Sequence, residues 1–360
     1  MKILIVINSL GIGGAESVVI NLADKLSEMN HEVKIVYLSD IILIKPRNQN
    51  IELISLETNK NKDILLAYLK LKNVVNNFKP DVVHSHLFKA NILSRLLKFS
   101  RNPPKIICTE HSTKVGGLRN LIGYRLTNSL ADINTNVSDV AVESYIRKGV
   151  VSKGSMITIE NGVDTSKFIF NPTIRKNIRD ELSVSNKKII LAVGRLDTPK
   201  DYPNLLKAIS ILKKNRDDFT VFIVGDGPLK SSLMKLSNEL GLKETIKFLG
   251  SRTNVKDLIQ AADVYVMSSM WEGLPMVILE AMACERMVVA TDCGGIKNLV
   301  GQNGLVVPTR NPSLLGSALE TALDMSNEQR IRTGIRARQY IVDNYSLDHK
   351  AKAYLKLYSS

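Results

Sequence analysis

The sequence predicts an α/β protein built as two parallel-sheet domains, on three observations. Short β-branched and apolar runs recur, as in Lys188 to Val193 (KIILAV) and Asp263 to Met267 (DVYVM), the composition of strands covered on both faces. Helical patterns such as Asp63 to Phe78 stand between such runs. Glycines or small polar residues follow the strands, at Gly11, Gly13 and Gly14, at Gly194, and at Ser268 to Gly273, where open α/β sheets hold their ligands. A length of 360 residues suits two domains, and 44% hydrophobic residues suffice for two cores.

The first strand, Lys2 to Asn8, opens into Gly11, Gly13 and Gly14 and a helix from about Ala15 to Met29. A glycine turn at a helix start can cradle phosphate, and it can equally be a tight turn needing positive φ. The dinucleotide fingerprint would need glycine at position 16 and finds Glu16. Strands follow at Glu32 to Leu38, Ile51 to Leu56, and Asp81 to His86 after Pro80. His84 and His86 share a strand face, a possible metal pair for which no second pair of ligands is spaced. The helix from Phe88 to Phe99 carries an apolar face edged by Lys89, Arg95 and Lys98, which can pack on the sheet or lie on a membrane. Lys105 to Thr109 ends at Glu110-His111-Ser112, placing His111 just past a strand end, and Ala131 to Asn136 and Met156 to Glu160 complete the first sheet.

The second domain begins at Lys188, with Arg195 and Lys200 just beyond the strand, a planar fork and a point charge suited to a diphosphate. Thr220 to Val224 leads into the turn Gly225-Asp-Gly-Pro228. The organising stretch is Ala262 to Gly295: a strand, a polar loop, a helix opening at Pro275, a strand at Met287 to Ala290, and Gly294-Gly295. Glu272 lies in the loop and Glu280 in the otherwise apolar helix. A carboxylate on a mostly buried helix needs a partner, either a basic side chain or solvent, or a ligand rich in hydroxyls. Free backbone N–H groups at the helix start favour an anion beside it. Polyol and phosphate together make a nucleotide sugar. Gly304 to Pro308 is a last strand, and Ser346 to Tyr358 a final amphipathic helix.

The net charge is +14, and the excess is local: between Asn59 and Arg125 thirteen Lys/Arg stand against three Asp/Glu. Anionic lipid, an acidic acceptor or plain solubility would each use it. No nucleic-acid motif accompanies it. No apolar run approaches the ~20 residues of a membrane span. The start, MKILIVINSLGIGG, reads as a first strand rather than a signal peptide, and three cysteines without CxxC spacing suit a reduced, cytoplasmic setting.

Glu272-Gly-Leu-Pro-Met-Val-Ile-Leu-Glu280, with Ala-Met-Ala-Cys and Gly-Gly beyond it, resembles the Glu-x7-Glu motif of retaining GT-B glycosyltransferases of family 4. Asn161-Gly-Val-Asp164 to Phe168 and Gly194-Arg195-Leu196 through Lys200 resemble further family signatures in the expected order. The resemblance covers nearly the whole chain. It implies the GT-B fold, two Rossmann-like domains facing across a cleft: residues 1–168 on the acceptor side, a linker at 169–186, a nucleotide-sugar domain at 187–344, and a helix at 345–360 returning to the first domain.

It also implies transfer of a hexosyl or N-acetylhexosaminyl group, with retained configuration, from a nucleotide-diphosphate donor such as a UDP-sugar. The basic excess between Asn59 and Arg125, in the acceptor-side domain, and the apolar face of the Phe88 to Phe99 helix flanked by Lys89, Arg95 and Lys98 predict peripheral binding at the inner membrane face and a lipid-linked saccharide acceptor of surface polysaccharide assembly; no metal or other cofactor is expected. The rivals are an epimerase or hydrolase of the same architecture, and an inactive sugar-nucleotide-binding subunit. In the resembling family Glu272 contacts the transferred sugar, Glu280 the ribose, and Arg195 and Lys200 the diphosphate. Gly13, Gly14, Gly225, Gly273, Leu274, Met276 and Val277 fall at donor-binding positions, and His111 at that of a histidine near the reacting centre. The chain departs from the pattern at Glu285-Arg286-Met287, where Gly-x-Pro is usual, and at Lys297-Asn298, where Pro-Glu is usual.

Overall fold

The computed structural model describes residues 1–11, 13–57, 64–184 and 186–360. The chain divides into two compact units, Met1–Gly162 with Leu347–Ser360, and Val163–Ser346. In the first, seven parallel strands run in the order β3-β2-β1-β4-β5-β6-β7. They are β1 (Lys2–Ile7), β2 (Glu32–Tyr37), β3 (Glu52–Ser55), β4 (Val82–His86), β5 (Lys105–Glu110), β6 (Ile133–Asn136) and β7 (Ile157–Thr158). β1 shows why its sequence is a near-continuous apolar run. Ile3, Ile5 and Ile7 face α1 (Gly14–Glu28) and the C-terminal helix, while Leu4 and Val6 face α2 (Ile64–Phe78) and α3 (Phe88–Leu96). The expected helix start at Asp63 and the start of the basic stretch at Asn59 lie outside the described residues. α4 (Leu118–Thr127) and α5 (Asp139–Arg147) complete the crossovers.

The second unit holds six parallel strands in the order β10-β9-β8-β11-β12-β13. They are β8 (Lys188–Val193), β9 (Phe219–Val224), β10 (Ile246–Gly250), β11 (Val264–Met267), β12 (Met287–Thr291) and β13 (Gly304–Val307). Residues 169–186, expected as a linker, mostly form part of this unit: α6 (Pro172–Glu181) is capped by Asn171, whose side chain accepts from the Thr173 and Ile174 amides. Arg175 and Arg179 then pin the helix to Asp263, at 2.6 and 3.1 Å. That carboxylate also accepts the Ile189 amide at 2.8 Å. Asp263 is nearly buried, and the two guanidiniums hold its carboxyl below the usual carboxylate range against the cost of burial.

Further helices of this unit are α7 (Tyr202–Lys213), α8 (Lys230–Glu239), α9 (Val255–Ala261), α10 (Met276–Ala283), α11 (Ile296–Val300), α12 (Pro312–Asp324) and α13 (Asn327–Tyr345). The final helix α14 (Leu347–Ser359) packs on α1 in the first unit. There the Tyr358 hydroxyl meets His84 Nδ1 at 2.7 Å, and Lys25 pairs with Asp348 at 2.7 Å.

The α3 helix resolves the choice between sheet and membrane. Ala90, Leu93 and Leu97 enter the core beneath it. Arg95, read from the sequence as a surface charge, is 1% exposed. It donates to Thr127, Asn128 and Asn134 at 3.1, 3.3 and 2.7 Å and lies over the Tyr124 ring. Lys98 is paired with Asp132 at 2.6 Å. Neither cation is free for a lipid surface.

The departure at Glu285 has a definite backbone meaning. The Glu285 amide donates to Met282 O at 3.0 Å and the Arg286 amide to Ala281 O at 2.9 Å, the Schellman pattern that ends a helix. Glu285 holds the left-handed position of that motif at φ 61°. An L-residue there costs about 1–2 kcal/mol, part of which glycine returns as unfolded-chain entropy. Glu285→Gly is therefore expected to stabilise the protein by about 0.5–1 kcal/mol and raise Tm by about 1–4 °C. Calorimetry checks this; an unchanged or lower Tm contradicts it.

Candidate functional site

In the second unit the strand order reverses between β8 and β11, so their connections leave in opposite directions and open a crevice at the strands' carboxyl ends. Side chains and amides lace these two connections together. Ser268 Oγ donates to Lys200 O at 2.8 Å and the Met270 amide to Pro199 O at 2.8 Å. Thr291 Oγ1, at the end of β12, holds Ser269 O at 2.6 Å.

Within this frame Lys200 Nζ and Ser269 Oγ both donate to Glu272 Oε1, at 2.6 and 2.7 Å. The pair is largely sheltered, which strengthens it relative to a surface ion pair. One oxygen of Glu272 is thus saturated, leaving Oε2 as an acceptor. Gly294, at φ 60°, packs so closely on the Glu272 carbonyl that a Cβ would lie 2.3 Å from its oxygen. That contact accounts for one glycine of the Gly294-Gly295 pair.

Gly225, after β9, has a similar role on the other side of the reversal. At φ 135°, its Cβ position lies 2.0 Å from Gly194 O, so no side chain fits, and the 225–229 turn lies directly on the 194–196 loop. The Leu196 amide donates to Asp226 O at 2.9 Å. Gly225 therefore shapes the loop that carries Arg195. Arg195 itself is 71% exposed, with Asp197 at 3.6 Å, and makes no contact with Glu272.

Gly273, Leu274 and Pro275 link Glu272 to α10, with Pro275 as the N-cap rather than the first helical residue. Leu274 and Met276 are buried and Val277 is half-buried, so what this turn offers a ligand is its backbone amides. Glu280 follows on α10. Among the described residues its carboxylate has no hydrogen-bond partner, and Lys167 is the cation acting on it. Burial pushes the acid up to about 7, only partly offset by Lys167.

In the first unit the reversal lies between β1 and β4, where Ile7 and His86 are register partners. Gly13 is the N-cap of α1 and Gly14 its first residue. The Glu16 carboxylate folds back beside Gly13 and accepts from Ser9 Oγ at 3.4 Å. That places a negative charge where the sequence suggested a phosphate. Near the other side of the reversal His86 Nδ1 meets His111 Nε2 at 3.0 Å. Both nitrogens of His84 are engaged, by Tyr358 and by Thr109 Oγ1 at 2.7 Å each, which removes it as a metal ligand. No group of three or more His, Cys, Asp or Glu that could hold a metal occurs among the described residues.

Sequence reasoning missed Ser269, Lys167 and the bond from His86 to His111. Ser269, three residues before Glu272, carried a local signal; the other two depend on contacts between distant segments.

Two family models match the chain, Glycosyl transferases group 1 over residues 173–340 and Glycosyltransferase Family 4 over residues 12–167. One curated relative is the N-acetylgalactosamine-N,N'-diacetylbacillosaminyl-diphospho-undecaprenol 4-alpha-N-acetylgalactosaminyltransferase of Campylobacter jejuni. It is 27% identical, over 98% of this chain and 99% of that one. Another is the UDP-Gal:alpha-D-GlcNAc-diphosphoundecaprenol alpha-1,3-galactosyltransferase of Escherichia coli, 28% identical over 65% of this chain and 63% of that one. Among solved structures, HepE of Anabaena in complex with UDP superposes with a TM-score of 0.85 at 21% identity, covering all of both chains. WaaG, a glycosyltransferase involved in lipopolysaccharide biosynthesis, gives 0.73 at 18% identity over 98% of each. With both halves matched and the fold shared, this chain belongs to the glycosyl transferases group 1, family 4, and is a glycosyltransferase of the GT-B type.

Proposed function

We propose that this glycosyltransferase takes a sugar from a UDP-linked donor and adds it, with retained configuration, to a lipid-linked saccharide. The observation that carries the donor assignment is the contrast between two carboxylates eight residues apart. Glu272 has one oxygen saturated by Lys200 and Ser269, whereas Glu280 is half-buried, with its carboxylate still reachable and no hydrogen-bond donor from the protein among the described residues. Vicinal hydroxyls of a ribose supply the donors Glu280 lacks, and hydroxyls of the transferred sugar meet the free oxygen of Glu272. UDP in the HepE complex, and the undecaprenol-diphosphate acceptors in the names of the two relatives, support the two substrates.

The chemistry breaks the bond between the anomeric carbon and the phosphate oxygen and forms one to an acceptor oxygen on the same face. The departing phosphate oxygen takes the acceptor's proton. Lys200 has two N–H donors left after Glu272, and Arg195 a solvent-facing fork; both stabilise the growing negative charge, and the α10 amides add to them. His111, Gly13 and Gly14 are assigned to the sugar and acceptor. Gly273, Met276 and Val277 are assigned to the phosphate through their backbone, buried Leu274 to packing the turn that presents them, and Gly225 to shaping the nucleotide loop.

The raised pKa of Glu280 has a stability consequence with a definite sign. Between its ordinary value and about 7 the folded protein holds a proton that the unfolded chain has lost. Stability from that proton is present in acid and lost as pH rises through about 7. Glu280→Gln should therefore gain roughly 1–2 kcal/mol over the wild type at about pH 8, after allowance for residual solvent contact. The same variant should lose roughly 10- to 150-fold in kcat/KM. Denaturant titration and donor-dependent turnover, measured together, check this; full activity would remove Glu280 from the site.

Arg195→Ala and Lys200→Ala should each weaken UDP binding, measured by calorimetry, while EDTA leaves wild-type turnover unchanged. Activity abolished by chelation and restored by Mn²⁺ or Mg²⁺ would overturn the metal-free reading. With labelled UDP-sugar, release of a free epimer or free sugar instead of transfer would overturn the transferase chemistry proposed here.

A lipid-linked acceptor calls for a membrane-facing surface, and two helices of the first unit offer one. Leu118, Ile122 and Leu126 stand outward at i, i+4, i+8 on α4, each about half exposed or more, among exposed Arg119 and Arg125. Leu65, Leu66 and Leu69 stand outward near the start of α2. Each helix begins in the connection leaving a strand's carboxyl end, the edge that also carries His111. No helix among the described residues is long and apolar enough to cross a membrane. Binding to anionic vesicles is expected to fall with salt and to weaken in an Ile122→Ser, Leu126→Ser double variant. Sedimentation checks it, and equal binding to neutral vesicles contradicts it.

A further inference from the structure

Glu272 takes two donors on one oxygen, and the two are unequal. Lys200 Nζ reaches Oε1 at 2.6 Å and Ser269 Oγ reaches it at 2.7 Å. The Lys200 side chain is long and 26% exposed, and its ammonium is also the cation assigned to the donor's diphosphate. Ser269 is fully buried. Its hydroxyl turns about one short bond and meets Glu272 three residues further along the same loop.

Ser269 is itself held from behind. Thr291, fully buried at the end of β12, donates its hydroxyl to Ser269 O at 2.6 Å. The neighbours of Ser269 on either side are tied to the 198–200 turn, Ser268 Oγ to Lys200 O and the Met270 amide to Pro199 O, at 2.8 Å each. Gly294 lies against the Glu272 carbonyl with no room for a Cβ. The backbone that carries Ser269 and Glu272 is therefore fixed, and the soft members of the group are the two long side chains, Lys200 and Glu272.

A diphosphate competes with Glu272 for the Lys200 ammonium. As Lys200 turns toward phosphate, Oε1 of Glu272 keeps one donor, the Ser269 hydroxyl. Without it the carboxylate is free to follow the ammonium or to rotate, and the oxygen left for the sugar has no fixed position. The geometry points to Ser269 as a positioning residue that holds the Glu272 carboxylate for the transferred sugar while Lys200 engages the diphosphate. The assignment rests on the UDP-sugar reading above, in which Lys200 serves the phosphates and Glu272 the sugar. It has a consequence that a merely structural serine lacks: loss of the hydroxyl is silent toward UDP, which carries no sugar, and weakens only the sugar-bearing donor.

Titration calorimetry reads this without turnover, as does the fluorescence of Trp271, the one tryptophan of the chain, half-buried beside Glu272. The probes are UDP, UDP-galactose, UDP-glucose and UDP-N-acetylgalactosamine. Ser269→Ala is expected to bind UDP as the wild type does and to bind the UDP-sugar that the wild type accepts about tenfold more weakly, with a matching fall in kcat/KM. In a Glu272→Ala background the same substitution should cost nothing further, because the hydroxyl then has no carboxylate to hold; a serine that only supports the loop would cost the same in both backgrounds. If Ser269→Ala does not fold, Ser269→Cys, close in size and a weak donor, is measured in its place with the same expected direction. Unchanged UDP-sugar affinity in a folded variant, an equal loss for UDP and UDP-sugar, or additive losses in the double variant overturns the assignment. A wild type that binds UDP but none of the three UDP-sugars overturns the donor reading instead, so the two failures are distinguishable.

Discussion

At the centre of each sheet two neighbouring strands send their connections in opposite directions, β1 and β4 in one unit, β8 and β11 in the other. The rest of the site depends on that reversal. Two diverging loops cannot cover the carboxyl ends of their own strands, so polar backbone and side chains collect there with room for a ligand. In the second unit the loops are then tied to each other by Ser268, Met270 and the Lys200–Glu272 pair, which fixes their shape without filling the space. The glycines belong to the same constraint. Gly225 and Gly294 are the points where one connection lies against the backbone of the next, too close for a Cβ.

Electrostatics divides the acidic residues of the second unit by task. Asp263 is buried but held ionised by Arg175, Arg179 and a backbone amide, and its work is to dock α6. Glu272 is half satisfied, by a cation and a hydroxyl on one oxygen. Glu280 is left short of protein donors, and burial lifts its pKa to about 7. A carboxylate whose charge is not compensated by the protein lowers stability near neutral pH, a cost commonly found where a ligand completes the site. The first unit shows the opposite solution, three histidines kept uncharged so that they can be packed ring against ring.

Chain ends and helix ends carry part of the same logic. The α14 helix returns to the first unit and ties Tyr358 to His84, directly beside the pair of histidines at the ligand edge. At the end of α10, Glu285 accepts a left-handed backbone to close the helix by a Schellman motif, and Gly334 of α13 packs on its carbonyl with no room for a side chain. The carbonyl contact needs the chain to turn there whatever the residue, so the fold tolerates glutamate at the price of some strain.

The strands and the Glu-x7-Glu motif were legible because their signals are local. A strand buried on both faces must be apolar throughout, as in KILIVI and KIILAV, and a Glu-x7-Glu spacing survives in the linear chain whatever surrounds it. The cap and first helical residue of α6, Asn171-Pro172, were equally local, yet the charged stretch after them read as a linker. Its fate was decided by Asp263, almost ninety residues away, which turns two exposed-looking arginines into a dock. Arg95 reversed for the same reason. Beside Lys89 and Lys98 it has the pattern of a surface cation, and only Thr127, Asn128 and Asn134, brought in from later elements, make its burial affordable. Sequence by itself determined which segments are strands, where the glycine turns fall and that two carboxylates, Glu272 and Glu280, stand eight residues apart across the start of α10. Tertiary structure alone decided which charges are compensated, because a partner for a buried charge comes from wherever the fold brings the chain together, and spacing along the sequence carries no record of it.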